Sequence, residues 1–233
     1  MSEGENQCII VPNDYPKLPL ERFTIPKAYE DCLSHVMLPE SVIQERIKQM
    51  AIHLVDNYTT EPKSPHLLTL LCVLKGAFRF FSDLFNEMVA VIGTKRSTLL
   101  LELSFVRIQS YINDASANEP LITGLHDPAE FKDKDILVIE DLIDTGRSMR
   151  ALLTQLDALH PRRVRVASLL LKRIPTGIQY RPDYVGFEIP AEFVVGYALD
   201  YNEYFRDLPH LCIINQHGRE KYRVNSEPCG RGL

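Results

Sequence analysis

An α/β fold built on a twisted, mostly parallel sheet flanked by helices is expected for this chain, on three observations. Short apolar runs of strand length alternate with segments whose apolar residues recur at helical spacing. Some runs are almost wholly apolar, as in strands covered by helices on both faces. Hydrophobic residues make up 45% of the 233 and charged residues 24%, ordinary proportions for a globular chain able to bury a sizeable core. A strand–helix–strand succession implies right-handed crossovers between parallel neighbours. Ligands of such sheets sit beyond the carboxyl ends of the strands, so chemistry is sought there.

The elements follow in order. Residues 1–20 carry Pro12, Pro16 and Pro19 without periodicity and read as an extended arm. Pro39-Glu40-Ser41 open a helix with Ile43, Ile47, Met50 and Leu54 on one face. His66 to Leu74 (HLLTLLCVL) is an apolar strand punctuated by Lys75-Gly76. Phe78, Phe81, Leu84, Phe85 and Met88 give the next helix, and Leu99 to Ile108 the next strand. Ile136 to Ile139 is a short strand running into Glu140-Asp141, followed by a helix carrying Met149, Leu152, Leu153, Leu156 and Leu159. Val164 to Leu171, Tyr184 to Ile189, Phe193 to Ala198 and Leu211 to Ile214 complete the strands. Residues 109–132 fit no element: they are polar, with Pro120, Gly124 and Pro128. A connection of that length is usually a functional lid or a disordered loop, with a hairpin flap as one form and a plain surface insertion as the bland one. Residues 225–233 read as a flexible tail.

Charge and cysteine usage exclude several classes. The formal charge is −5, from 26 basic and 31 acidic residues, so no nucleic-acid partner is expected. No stretch has the apolar length to span a bilayer, and no membrane partner is expected. The start, MSEGENQCIIVPND, lacks the basic and apolar regions of a secretory signal. Cys8, Cys32, Cys72, Cys212 and Cys229 are odd in number and form no CxxC, which points to reduced thiols and a cytoplasmic protein. The sequon at Asn57-Tyr58-Thr59 is then a chance match.

The sharpest local signal is ILVIEDLIDTGRSM, residues 136–149. A strand delivers the adjacent carboxylates Glu140 and Asp141; Asp144 follows, then Thr145-Gly146-Arg147-Ser148 at a helix start. A glycine-containing turn at a helix N-terminus presents N–H groups to an anion, and Thr145 and Ser148 add hydroxyls. A phosphate fits there, with the carboxylates ahead of it on ribose hydroxyls or a cation. Asp144 and Thr145 would also serve as plain helix caps, but caps do not call for two carboxylates at a strand end, where both are desolvated. Asp144-Thr145-Gly146 is also the triplet of aspartic proteases. Those need two such carboxylates, which only a homodimer could supply here, and they are all-β.

The pattern resembles the nucleotide-binding signature of the type I phosphoribosyltransferases. Over roughly residues 15–224 the chain is similar to the hypoxanthine-guanine phosphoribosyltransferases. The marks are CVLKGAFRFFSDL (72–84), FVRIQSY (105–111), VIEDLIDTGRSM (138–149), VASLLLKR (166–173), PDYVGFEIP (182–190) and FVVGYALDYNEYFRDLPH (193–210). The resemblance implies a domain over 21–224, between the arm 1–20 and the tail 225–233, with a small hood from the N-terminal arm and the last segments. It implies purine salvage: magnesium-dependent transfer of a 5-phosphoribosyl group from phosphoribosyl pyrophosphate to N9 of a 6-oxopurine. Hypoxanthine or guanine would give a nucleoside monophosphate and pyrophosphate through an oxocarbenium-like transition state.

Residue by residue, the resemblance implies the following roles. Asp144 handles the N7 proton of the purine as acid/base. Asp144, Thr145, Gly146, Arg147 and Ser148 form the 5′-phosphate loop. Glu140 and Asp141 form the ribose-hydroxyl and magnesium-linked pair. Lys75 and Gly76 form the pyrophosphate turn, with a non-proline cis peptide before Lys75. Lys172 binds O6, Phe193 stacks on the base, and the Val194 backbone bonds its edge. Asp200, in the base pocket, is a second magnesium contact. Arg206 takes pyrophosphate oxygens. Ser110 and Tyr111 begin a loop that closes over the reacting centre and excludes water. A homo-oligomer is implied, dimer or tetramer, with Arg107 near an interface. The chain departs from the family pattern at Gln109, where a Lys often stands, and at Ser148, where a Thr does. Gln109 and the diverged loop motivate the alternative of a nucleotide-binding paralogue with weak or no turnover; the retained Asp144 favours a live enzyme.

Overall fold

The structure is a computed structural model and describes residues 8–59, 67–109, 120–125, 127–174 and 180–224. Ser110 and Tyr111, most of the expected loop, residues 1–7 and the tail 225–233 lie outside the described residues. In chain order the elements are β1 (Ile9–Ile10), β2 (Leu33–Leu38), α1 (Glu40–Thr59), β3 (Leu67–Leu74), α2 (Phe78–Lys95), β4 (Leu100–Gln109), β5 (Leu121–Thr123), β6 (Asp135–Ile143), α3 (Arg147–Asp157), β7 (Arg163–Arg173), β8 (Tyr184–Pro190), β9 (Val194–Val195), β10 (Leu211–Ile214) and α4 (Gln216–Lys221). Short 3-10 turns lie at Leu20–Arg22, Lys27–Tyr29 and Pro128–Glu130. The chain forms two compact units, one from 1–15 and 41–192, the other from 16–40 and 193–233.

The first unit carries a seven-stranded sheet in the order β1-β8-β7-β6-β3-β4-β5. Every neighbouring pair is parallel except β4–β5. The apolar run of β3 is why it sits inside: Leu68, Leu70, Leu71 and Cys72 are fully buried. One face of the sheet packs on Met149, Leu152 and Leu156 of α3, with Phe131 filling the same core. From β3 the sheet grows one way to β4 and the other way to β6, so the strand order reverses between β3 and β6. In open α/β sheets the crevice at the carboxyl ends of such a pair is where ligands bind.

Several elements differ from expectation, each for a physical reason. β6 does not stop at Ile139. Glu140, Leu142 and Ile143 stay in register with Ser168, Leu170 and Leu171 of β7, because backbone pairing is indifferent to the carboxylates it carries. Residues 109–132 contain a hairpin return: Leu121 pairs with Gln109 and Thr123 with Arg107. The segment also contains the 3-10 turn Pro128–Glu130, where Asp127 caps Ala129 N–H at 2.9 Å, and the buried Phe131. From Cys8 onward the N-terminal stretch joins the first sheet through β1 on β8. Arg173 ties it down, donating to Val11 O at 2.9 Å and Asn13 Oδ1 at 2.7 Å.

The second unit holds the antiparallel sheet β2-β10-β9 over a core of Tyr29, Cys32, Val36, Val195, Phe205, Leu208 and Cys212. The strand expected over Phe193 to Ala198 is only Val194–Val195. Beyond it Gly196 turns at φ +95°, where a Cβ would stand 2.1 Å from His210 O. Tyr197 and Ala198 follow at positive φ, as do Asn202, Glu203 and Phe205. Left-handed backbone cannot continue a strand.

Candidate active site

At the carboxyl end of β3 the Leu74–Lys75 peptide is cis, and Gly76 follows. Gly76 lies directly against Asp141 of β6: a Cβ built on it would stand 1.8 Å from Asp141 Oδ2. Only a residue without a side chain permits that approach. Asp141 Oδ1 accepts the Leu142 N–H at 2.7 Å, and Glu140 Oε1 accepts the Asp141 N–H at 3.3 Å. Burial, and then the Asp141 carboxylate beside it, push the Glu140 carboxyl well above the ordinary range. The same surroundings act on the neighbouring strand, where the buried Cys72 thiol is pushed up to about 12, by burial first and then by Glu140 and Asp141. Two adjacent carboxylates near the end of β6, one of them resisting ionisation, are hard oxygen donors whose crowding a cation would relieve. The donor set fits magnesium.

β6 ends at Ile143, and Asp144-Thr145-Gly146 turn the chain into α3. Gly146 has φ +74°, and Tyr180 packs against it so closely that a Cβ there would stand 2.5 Å from Tyr180 Cβ. Thr145 Oγ1 accepts the Arg147 N–H at 3.4 Å. Thr145 and Arg147 are exposed at the start of α3 and Ser148 partly so, and the N-terminus of a helix is a place that favours an anion. Lys172 lies within β7, one residue from its end, and its Nζ stands 3.1 Å from Asp144 Oδ2. The lysine side chain is 13% exposed and the aspartate 51%, so a largely buried cation meets an accessible carboxylate.

In the second unit, Phe193 is 38% exposed. Tyr201 meets its ring edge-on at 5.5 Å and 88°, and the Arg219 guanidinium lies over it at 5.1 Å. Val194 is buried and paired with Ile213. Asp200 Oδ1 meets Arg206 Nη2 at 2.9 Å, and its Oδ2 accepts the Glu203 N–H at 2.8 Å. Arg206 also donates from Nη1 to Ala198 O at 2.8 Å. This cage holds the left-handed turns in place.

The first unit therefore gathers Lys75, Gly76, Glu140, Asp141, Asp144 to Ser148 and Lys172 at the carboxyl ends of β3, β6 and β7. The second carries Phe193, Val194, Asp200 and Arg206. Sequence reasoning missed Tyr180 behind the Gly146 turn and Arg219 over Phe193. Neither has a local signal, since each acts on a residue tens of positions away.

The chain matches the family model described as the phosphoribosyl transferase domain over residues 41–202. It is 45% identical over 222 residues to a hypoxanthine-guanine phosphoribosyltransferase of Schistosoma mansoni, covering 95% of this chain and 76% of that protein. Identity to the human protein of the same name is 40%, over 93% of this chain and 97% of that one. Identity to human phosphoribosyltransferase domain-containing protein 1 is 41%, over 93% and 94%. A solved structure of the Schistosoma mansoni enzyme in complex with IMP matches with a TM-score of 0.82 at 40% identity, over 93% of this chain and 99% of that one.

Proposed function

The chain belongs to the family of the hypoxanthine-guanine phosphoribosyltransferases, and on that footing we propose that it is a purine-salvage enzyme. It transfers the 5-phosphoribosyl group of phosphoribosyl pyrophosphate to N9 of hypoxanthine or guanine, releasing pyrophosphate and a nucleoside monophosphate. The observation that carries this is the Lys172–Asp144 pair at 3.1 Å, set beside the anion-accepting start of α3. O6 and N7 are neighbouring groups on one edge of a 6-oxopurine. A cation and a carboxylate one hydrogen bond apart match that edge. Lys172 donates to O6 and would face a like donor on adenine, which disfavours it. Asp144 accepts the N7 proton as N9 bonds to the ribose.

The remaining residues divide the other tasks. Asp144, Thr145, Gly146, Arg147 and Ser148 form the loop that holds the 5′-phosphate. Glu140 and Asp141 bind the ribose hydroxyls and, with Asp200, would hold magnesium. The ion would supply charge neutralisation for the departing pyrophosphate. Lys75 and the Gly76 turn contact pyrophosphate, with Ser110 and Tyr111 closing over it. Arg206 also serves pyrophosphate, exchanging one of its present acceptors for a phosphate oxygen. Phe193 stacks on the base and Val194 presents its backbone to the base edge.

We further propose a domain over 21–224 and a cytoplasmic setting. The described cysteines Cys8, Cys32, Cys72 and Cys212 are all free thiols, and no described helix is long and apolar enough to cross a membrane. A homo-oligomer, dimer or tetramer, would cover exposed apolar side chains of β4 and α2: Leu103 at 43%, Phe105 at 45% and Phe78 at 59%. A second reading, a nucleotide-binding paralogue with weak or no turnover, draws on Gln109, where the family often carries a Lys, and on the diverged sequence that follows it. The test is turnover of hypoxanthine and guanine with magnesium and phosphoribosyl pyrophosphate. Product formation supports the enzyme; tight nucleoside monophosphate binding without turnover supports the paralogue.

A further inference from the structure

A second group of ligating side chains lies on the second unit, and none of the residues given a role above belongs to it. Asp31 and Cys32 sit between the 3-10 turn Lys27–Tyr29 and β2, and His217 is on α4. Asp31 Oδ1 stands 3.0 Å from Cys32 Sγ, and Asp31 Oδ2 stands 3.2 Å from His217 Nε2. One donor atom from each of the three lies within 4.8 Å of the others. Donors of a tetrahedral zinc ion, at bond lengths of about 2.0–2.3 Å, stand about 3.3–3.8 Å apart. The three are close enough for one ion to draw them to that spacing.

The scaffold beneath them is specific. Asn215, the N-cap of α4, donates from Nδ2 to Asp31 O at 2.9 Å and to Leu33 O at 3.1 Å. Its N–H donates to Cys32 O at 2.9 Å. Gly218 presses α4 onto the same segment, for a Cβ there would stand 2.5 Å from Cys32 O. The helix is thus locked in register on residues 31–33, and His217, whose own side chain is 57% accessible, is delivered to Asp31 by the side-chain and backbone bonds of Asn215.

Thiolate, imidazole and carboxylate together select a borderline-soft transition metal over magnesium. We propose that Asp31, Cys32 and His217 form a site for a divalent transition-metal cation of the zinc class, with water completing the shell. Cys32 binds as thiolate and releases its proton to solvent on coordination. Lys221 is the built-in competitor: its Nζ stands 3.1 and 3.3 Å from the two Asp31 oxygens and must move aside when the ion enters. The site should therefore bind more weakly than a closed four-ligand zinc centre, and removing the ammonium should tighten it.

The test uses cobalt(II) as the probe, on the full chain stripped by chelator and held reduced. Excess magnesium is present to fill hard oxygen-donor sites. One equivalent of cobalt should bind with the visible bands of a four-coordinate ion and a thiolate charge-transfer band. Both should vanish in Cys32→Ala and in His217→Ala, while Lys221→Met should bind roughly tenfold more tightly. His217 is exposed, so its variant keeps the test valid even where loss of the buried Cys32 thiol impairs folding. Absence of the charge-transfer band in the parent chain, or its survival unchanged in His217→Ala, would overturn the proposal.

Discussion

The contact between Gly76 and Asp141 offers a sharp perturbation, because a single methyl group tests it. In Gly76→Ala the new Cβ would meet Asp141 Oδ2 at 1.8 Å and Cγ at 2.7 Å, where ordinary contact begins at 3.4 Å. The carboxylate must retreat by about 1.6 Å or the turn after β3 must shift, and either movement threatens the Asp141 Oδ1 bond to Leu142 N–H. Overpacking of this kind costs about 1–3 kcal/mol, or a fall in Tm on the order of 2–12 °C for a domain of this size. The functional loss should be larger in proportion, since a misplacement of about 1 Å can cost about 10²-fold. Steady-state assays over a magnesium series should show kcat/KM down by about that factor and a higher magnesium requirement. Gly93→Ala is the control: a Cβ at this helical glycine of α2 meets nothing within 4 Å. It should gain about 0.5–1 kcal/mol and leave activity unchanged. Wild-type magnesium response and kcat/KM in Gly76→Ala would refute the argument that this close approach positions Asp141.

Lys172→Gln should raise the hypoxanthine KM by about 10- to 100-fold, the worth of one charge-assisted hydrogen bond, and should narrow discrimination against adenine; unchanged selectivity would remove Lys172 from O6. Arg219→Ala should raise purine KM about two- to fivefold with the phosphoribosyl pyrophosphate KM unchanged, because its guanidinium stacks on Phe193. Equal shifts in both KM values would count against it. For Glu140 the folded value is raised above the ordinary 4.5, so its contribution to stability is full below that pH and is lost as pH rises through the folded value. Without magnesium, the parent chain should therefore lose Tm relative to Glu140→Gln as pH rises from the carboxylate range upward, and magnesium should offset that relative loss. Parallel profiles for the two proteins would contradict the assigned burial.

Legibility in the sequence followed the range of the interactions. β3, β7, β8 and β10 are legible because each holds an apolar run of strand length, even where β7 also carries Arg163, Arg165 and Lys172. β2 (LSHVML) was missed because Ser34 and His35 interrupt its apolar run, although His35 is buried. The strand expected to end at Ile139 falls short because the carboxylates that follow do not interrupt backbone pairing, and the ladder of β6 with β7 runs on to Ile143. The strand expected after Phe193 was overlong, since Tyr197 and Ala198 carry no signal for the left-handed backbone they adopt. The site followed the same rule. The run from Glu140 to Ser148 is local and was legible as chemistry. The roles of Lys172, Phe193 and Arg206 rested on resemblance alone, because their own surroundings in sequence look like ordinary strand ends and turns. Gly76 against Asp141, Tyr180 behind Gly146 and Arg219 over Phe193 are contacts between distant segments, which only the folded chain brings together.

The most direct measurement is phosphoribosyl transfer to hypoxanthine and guanine, followed spectrophotometrically, for the parent chain beside Asp144→Asn. The expected result is magnesium-dependent turnover in the parent, lowered by about 10²-fold or more when the carboxylate beside Lys172 can no longer take the N7 proton. Equal turnover in the two proteins would contradict the assignment of Asp144, and no turnover in either would contradict the enzyme itself.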